Sequence, residues 1–209
     1  MMRIDYSRRK ARGGRGLIPP NNTQWDNEHH ALDVRETLNL SENEPLPEIA
    51  EVYKKLDRAV TIVPHGELPT ASVFTDHFRN RGRGSWSGLA LPMADGSIWV
   101  VYNDAHRPPR VRATLMEEFF HIYLDHPTTT LRLLPNPEQA NRTYNVAAEG
   151  QAFGCAAAAL VPYAGLKGMV GAGVTVPQIA AYFVVSRDLV LFRLKVTKLY
   201  KAAFRWRRN

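Results

Sequence analysis

The sequence predicts an α+β fold, in which helices pack on a small, mainly antiparallel sheet and a helix-turn-helix-like segment closes the C-terminal side. Two long helical patterns, Arg110 to Asp125 and Asn145 to Leu160, supply the principal helices. Just before them, Ser85 to Met93 and Ser97 to Asn103 flank Ala94-Asp95-Gly96, and an Asp-Gly turn between such runs marks a β-hairpin. Thr175 to Leu194 then offers two shorter helical stretches either side of Val184-Val185, the second opened by Ser186 as its cap.

At 209 residues, with 44% hydrophobic and 22% charged side chains, the chain has the composition of one globular domain with a small appendage. No run approaches the roughly 20 apolar residues of a bilayer span, so no membrane partner is expected. The N-terminus is basic but continues into Gly and Pro rather than an apolar stretch, which does not read as a secretory signal. Cys155 is the single cysteine; it forms no internal disulfide and fits a reducing, cytoplasmic setting. The net charge of +7 is unevenly spread. Residues 1–16 hold six basic side chains and one acidic, and residues 193–209 hold seven basic and none acidic, which leaves the body between them at −5. Solvated basic tails are the plain reading, and weak contact with nucleic-acid phosphates is the alternative.

The elements follow in order. Residues 1–27 lack a hydrophobic period and read as a basic, disordered arm. His30 to Leu40 carries a helical stripe, and Pro45-Leu46-Pro47 opens a second helix through Ile49, Val52, Tyr53 and Leu56. Ala59 to Val63 is a short apolar strand ended by Pro64, and Arg79 to Gly84 is a flexible basic loop. After the hairpin, Pro108-Pro109 starts the first long helix, and Pro127 helps to stop it. Residues 127–142 form a loop, Asn145 to Leu160 an Ala-rich helix, and Gly165 to Gly173 a linker to the last segment.

The chemistry sits in Thr114-Leu115-Met116-Glu117-Glu118-Phe119-Phe120-His121. Positions i and i+4 share a helix face, so Glu117 and His121 can reach one ion. Glu118, about 100° round from Glu117, can approach a water on that ion without ligating it. This is the geometry of His-Glu-x-x-His metallopeptidases with Glu117 in place of the first histidine. Such sites need one more protein ligand and an open position for water. Glu149 is the candidate: a lone carboxylate on an otherwise small and apolar helix is costly to bury unless it is paired or metal-bound.

Residues 30–200 resemble the ImmA/IrrE metallo-endopeptidases, a zincin-like family. The likeness rests on Arg112-Ala113-Thr114-Leu115-Met116-Glu117-Glu118-Phe119-Phe120-His121, on Glu149-Gly150-Gln151-Ala152-Phe153-Gly154 and on Leu160-Val161-Pro162. The resemblance implies a metallopeptidase-like domain over 28–165 and a helix-turn-helix-like subdomain with a basic tail over 166–209. It places Glu118 as general base, His121 as second ligand and Glu149 as third. Two departures stand out: Glu117 occupies the first-histidine position, and the interval from Glu149 to Pro162 is about two residues longer than the pattern. With Glu117, His121 and Glu149 around a dication, two carboxylates cancel its charge, so bound water is activated less than by two histidines and one glutamate. Zn²⁺ is the expected ion, and the harder ligands also suit Mn²⁺ or Fe²⁺. His126 or Asp125 are substitute ligands in principle, although on a straight helix His126 points off the ligand face.

The expected function is a metal-dependent endopeptidase acting on a protein substrate, such as a helix-turn-helix transcriptional repressor. The alternative is a weakly active or inactive regulator of the same fold that binds DNA or a repressor. Strand Ser97 to Asn103 is the candidate edge for aligning substrate, against the plain reading of a core strand. Arg79, Arg81 and Arg83 could receive an acidic segment of substrate, against the plain reading of a solvated loop. Cys155, in a small-residue helix, is read as buried and inert rather than nucleophilic.

Overall fold

The computed structural model describes residues 21–68, 80, 86–127, 131–132, 141–142 and 145–205. Arg79, Arg81 and Arg83, most of the basic arm, and the aromatic–basic end at Trp206 and Arg208 lie outside these residues. The order is α1 (Asn22–Thr37), α2 (Ile49–Tyr53), β1 (Val60–Pro64), a short 3₁₀ turn (His65–Glu67), β2 (Gly88–Pro92) and β3 (Ile98–Tyr102). It continues through α3 (Pro108–Tyr123), β4 (Leu131–Arg132), β5 (Asn141–Arg142), α4 (Val146–Leu160), α5 (Tyr163–Gly171), α6 (Val176–Tyr182), α7 (Arg187–Val196) and α8 (Tyr200–Arg205).

The fold is α+β, but its sheet is mixed rather than mainly antiparallel. The strand order is β1-β3-β2, with β1 parallel to β3 from Val60↔Ile98 to Pro64↔Tyr102 and β2 antiparallel to it from Gly88↔Tyr102 to Pro92↔Ile98. The hairpin closes as its turn chemistry requires: Gly96 takes φ 84°, and the Asp95 carboxylate accepts from the Ser97 amide and hydroxyl. β3 is therefore the central strand, and the edge assigned to Ser97–Asn103 belongs to its neighbours. Its interior is apolar to match, with Val100 and Val101 buried. A second ladder, β4 with β5, falls within the stretch read as loop.

Helix α4 is the spine of the core. Its Ala157, Ala158, Ala159 and Leu160 are fully buried, and α1 and α3 both lie against it. Small side chains let these backbones approach: a Cβ at Gly154 would collide with the Asn27 amide of α1. Helix α1 begins at Asn22, capped by the Asn21 side chain on the Gln24 amide, inside the stretch read as a disordered arm. Its inner face is largely polar, which is why no hydrophobic period announces it. Glu28 accepts from Tyr163 N at 2.6 Å and pairs with the wholly buried Arg193 at 2.5 Å. Arg35 donates to the carbonyls of Ala159, Ser41 and Glu44.

The Gly165–Gly173 linker is mostly helix. Leu166 and Val170, one turn apart, are buried, Gly165 abuts the Glu42 carbonyl, and Glu28 and Glu42 cap the first amides of α5. Thr175 with Gln178, and Ser186 with the Leu189 amide, cap the two helices that follow. Leu189, Val190, Arg193 and Leu194 turn the inner face of α7 into the core. Among the described residues no single helix is long and apolar enough to cross a membrane.

Candidate metal centre

Helix α3 starts on two prolines, which lack the amide hydrogens that a first turn leaves unpaired. Leu115, Met116, Phe119, Phe120 and Ile122 form its core face. Arg112 donates to the Leu46 and Pro47 carbonyls, and the Tyr53 hydroxyl donates to Leu115 O at 2.7 Å, which fixes the helix against α2. Helix α4 starts where Asn145 accepts from the amides of Ala147 and Ala148, which sets Glu149 in the first turn. A carboxylate there is also favoured by the positive end of the helix dipole.

With α3 and α4 closely packed, Glu117, His121 and Glu149 converge. One ligand atom from each lies within 4.8 Å of the other two, and all three side chains are half-buried. His121 Nε2 stands 3.6 Å from Glu149 Oε2. Bonds of about 2.0 Å to a tetrahedral ion put neighbouring ligand atoms about 3.3 Å apart, so a small contraction of this trio admits a dication. Two carboxylates and an imidazole drawn together on half-buried helix faces repel one another less once a cation joins them. The donor set therefore fits a metal.

Glu118 occupies a different face of α3, as the 100° step requires. It is buried, and lies against the start of β2: a Cβ added at Gly88 would sit 3.5 Å from Glu118 Cγ and 2.6 Å from Thr114 Cγ2. A glycine at 88 is thus what lets the strand reach this carboxylate. The fully buried Tyr53 hydroxyl is pushed well above its ordinary range, chiefly by burial and further by the charge of Glu118.

The helix end holds a feature that sequence reasoning missed. Asp125 adopts φ 53°, the His126 amide donates to His121 O at 2.9 Å, and the Asp125 amide donates to Ile122 O at 3.1 Å. These 6→1 and 5→2 bonds are a Schellman turn, which folds residue 126 back over residue 121. His126 consequently neither points away, as a straight helix implies, nor joins the ligand trio. Its Nδ1 meets His121 Nδ1 at 3.1 Å, and its Nε2 meets Gln151 Oε1 at 3.1 Å. Asp125 points outward to Arg58 at 2.9 Å. The only clue in the sequence was Asp125 itself, since Asp tolerates the left-handed conformation better than most residues. Cys155 is fully buried, and burial pushes its thiol up to about 12, which keeps it protonated and inert at neutral pH.

A family model described as peptidase M78, IrrE N-terminal-like domain, matches residues 77–195, more than half of the chain, and spans β2 to α7 with the whole trio. No curated protein matches the chain significantly.

Proposed function

We propose that this chain, which belongs to the IrrE N-terminal-like family of M78 peptidases, is a metal-dependent endopeptidase with Glu117, His121 and Glu149 as ligands and Glu118 as general base. The observation that carries this reading is the convergence of the trio from two helices within 4.8 Å. Glu117, His121 and Glu149 would hold a dication, Zn²⁺ in the first instance and Mn²⁺ or Fe²⁺ as alternatives, which would supply polarisation of the scissile carbonyl and a more acidic water. Glu118 would accept a proton from the water whose oxygen bonds to the scissile carbonyl carbon and would pass it to the amine nitrogen as the C–N bond breaks. With β3 central, the strand available to align an extended substrate is β2, whose Gly88 lies beside Glu118. The substrate we favour is a helix-turn-helix repressor.

Glu117 supports a second reading, a regulator that binds DNA or a repressor without cutting it, because two carboxylates leave the centre without net charge. Metal analysis of the purified chain, followed by co-expression with a repressor, separates the two. Peptidase chemistry predicts that Glu118→Gln lowers cleavage by about 10²–10⁴-fold with metal content unchanged. Cleavage that survives the substitution intact refutes the assignment.

A further inference from the structure

Helix α3 delivers Glu117, His121 and, through its Schellman turn, His126 to this corner, and α4 delivers Glu149 and Gln151. The outer pair forms a line, Gln151 Oε1 to His126 Nε2 at 3.1 Å and His126 Nδ1 to His121 Nδ1 at 3.1 Å. The far nitrogen of His121, Nε2, is the one that faces Glu149.

Hydrogen-bond accounting gives this line a direction. A carboxamide oxygen can only accept, so with Gln151 Oε1 turned to the ring, as it is placed here, His126 donates from Nε2. Its Nδ1 is then a lone pair, and the short contact with His121 is a hydrogen bond only if His121 Nδ1 carries the proton. A neutral imidazole has one such proton, so His121 Nε2 is left as a lone pair directed toward Glu149. Resting on the metal reading above, we propose that His126 and Gln151 are positioning residues which hold His121 in the Nδ1–H tautomer and so present Nε2 to the cation. Neither residue ligates. Their effect is to remove the tautomeric and rotational freedom that His121 would otherwise lose on binding, and to raise the basicity of Nε2.

Three residues of the chain build this line: Asp125, which makes the turn that returns His126, and His126 and Gln151 themselves. Gln151 comes two residues after Glu149, so the same close packing of α3 on α4 that assembles the trio also sets the reach of the outer pair.

The test uses the full chain. Nitrogen NMR of the histidine rings in metal-free protein, at a pH where His121 is neutral, reads the tautomer directly, and competition between the protein and a chelator for Zn²⁺ reads affinity. The expected results are a His121 proton on Nδ1 in the wild type, and Zn²⁺ binding about 10–100-fold weaker in His126→Ala. Gln151→Leu keeps the bulk but removes the acceptor at the end of the line, and is expected to lose the wild-type tautomer, which a residue needed only for packing would preserve. A wild-type His121 protonated on Nε2 overturns the proposal, and this measurement stands even if a variant fails to fold. Zn²⁺ affinity within twofold of wild type in His126→Ala, with the wild type binding, overturns the positioning role alone. A wild type that takes up neither Zn²⁺ nor Mn²⁺ overturns the metal reading and the purpose of the line with it.

Discussion

The two halves of α4 handle polarity in opposite ways. Along the C-terminal half, Ala157 to Leu160 are fully buried, and Glu28, Arg193 and Arg35 close over it with partners inside the chain. Glu28 meets Arg193 at 2.5 Å and Tyr163 N at 2.6 Å, and Arg35 meets Ala159 O at 2.7 Å. Along the N-terminal half, Glu149 stands 3.6 Å from His121, beyond hydrogen-bond reach, and a second carboxylate joins them within 4.8 Å. One end is completed by the protein's own charges. The other gathers two carboxylates and an imidazole within 4.8 Å, the donor set proposed above to hold a cation. If the metal reading holds, one helix carries stability and binding at separate places, and variants at the two ends should lose one without the other.

The harshest way to break that separation is at the stable end. Arg193→Ala leaves the Glu28 carboxylate buried without its cation and is expected to cost about 3–5 kcal/mol in denaturant unfolding, with metal affinity of the folded fraction unchanged. A cost under about 1 kcal/mol, or a parallel loss of metal binding, would erase the contrast.

At the other end, Glu149→Ala is expected to weaken Zn²⁺ binding by more than about 100-fold, beyond what removal of an outer partner does. The melting temperature of the metal-free protein should stay level or rise, because a converging carboxylate has gone. A metal-free protein that melts much lower would mean that Glu149 is a structural group like Glu28.

How far these two ends can be read in the sequence differs for the same physical reason. Helices α3 and α4 were legible because a helical pattern begun by prolines and an Ala-rich run are local signals; Glu117 and His121 came from their spacing, and Glu149 from its isolation on a small, apolar helix. Helix α1 was misread at its start because Asn27, Glu28 and Arg35 look solvent-facing until their partners are known, and Arg35 finds Ala159 at a separation of 124 residues. Helix α5 looked like a linker because the caps on its first turn come from Glu28 and Glu42. The central place of β3 was hidden because its parallel partner β1 is remote in sequence, whereas the antiparallel β2 is joined to it by a visible turn. His126 was misplaced by extending a straight helix one residue beyond its Schellman end.

That helix end gives a finer probe. Asp125→Val puts a β-branched side chain at φ 53° and should cost about 1–2 kcal/mol while swinging His126 off His121. Asp125→Gly removes the same pair with Arg58 but relieves the backbone, so it should keep both stability and Zn²⁺ affinity. Equal behaviour of the two variants would show that the turn does not hold His126.

The smallest expected effect is a pH slope. His30, which faces Tyr123 near the site, is held below its ordinary 6.5, chiefly by burial, with the charges of Asp33 and Asp26 acting the other way. The unfolded chain thus takes up this proton first as the solution is acidified. The stabilisation is complete above about 6.5 and is lost as pH falls toward the lower folded value, so His30→Gln should flatten melting curves compared across that range. An unchanged slope would assign the acid sensitivity to other groups.

The pairing of Glu28 with Arg193 spans 165 positions. A carboxylate made early on the ribosome must therefore wait in water until a guanidinium made much later has emerged. Until then α1 can settle on α4 only with the Glu28 charge lacking its cation, which is costly to bury. Glu28 therefore gains its guanidinium partner only once residue 193 has been made, and a chain stopped short of it lacks that pair.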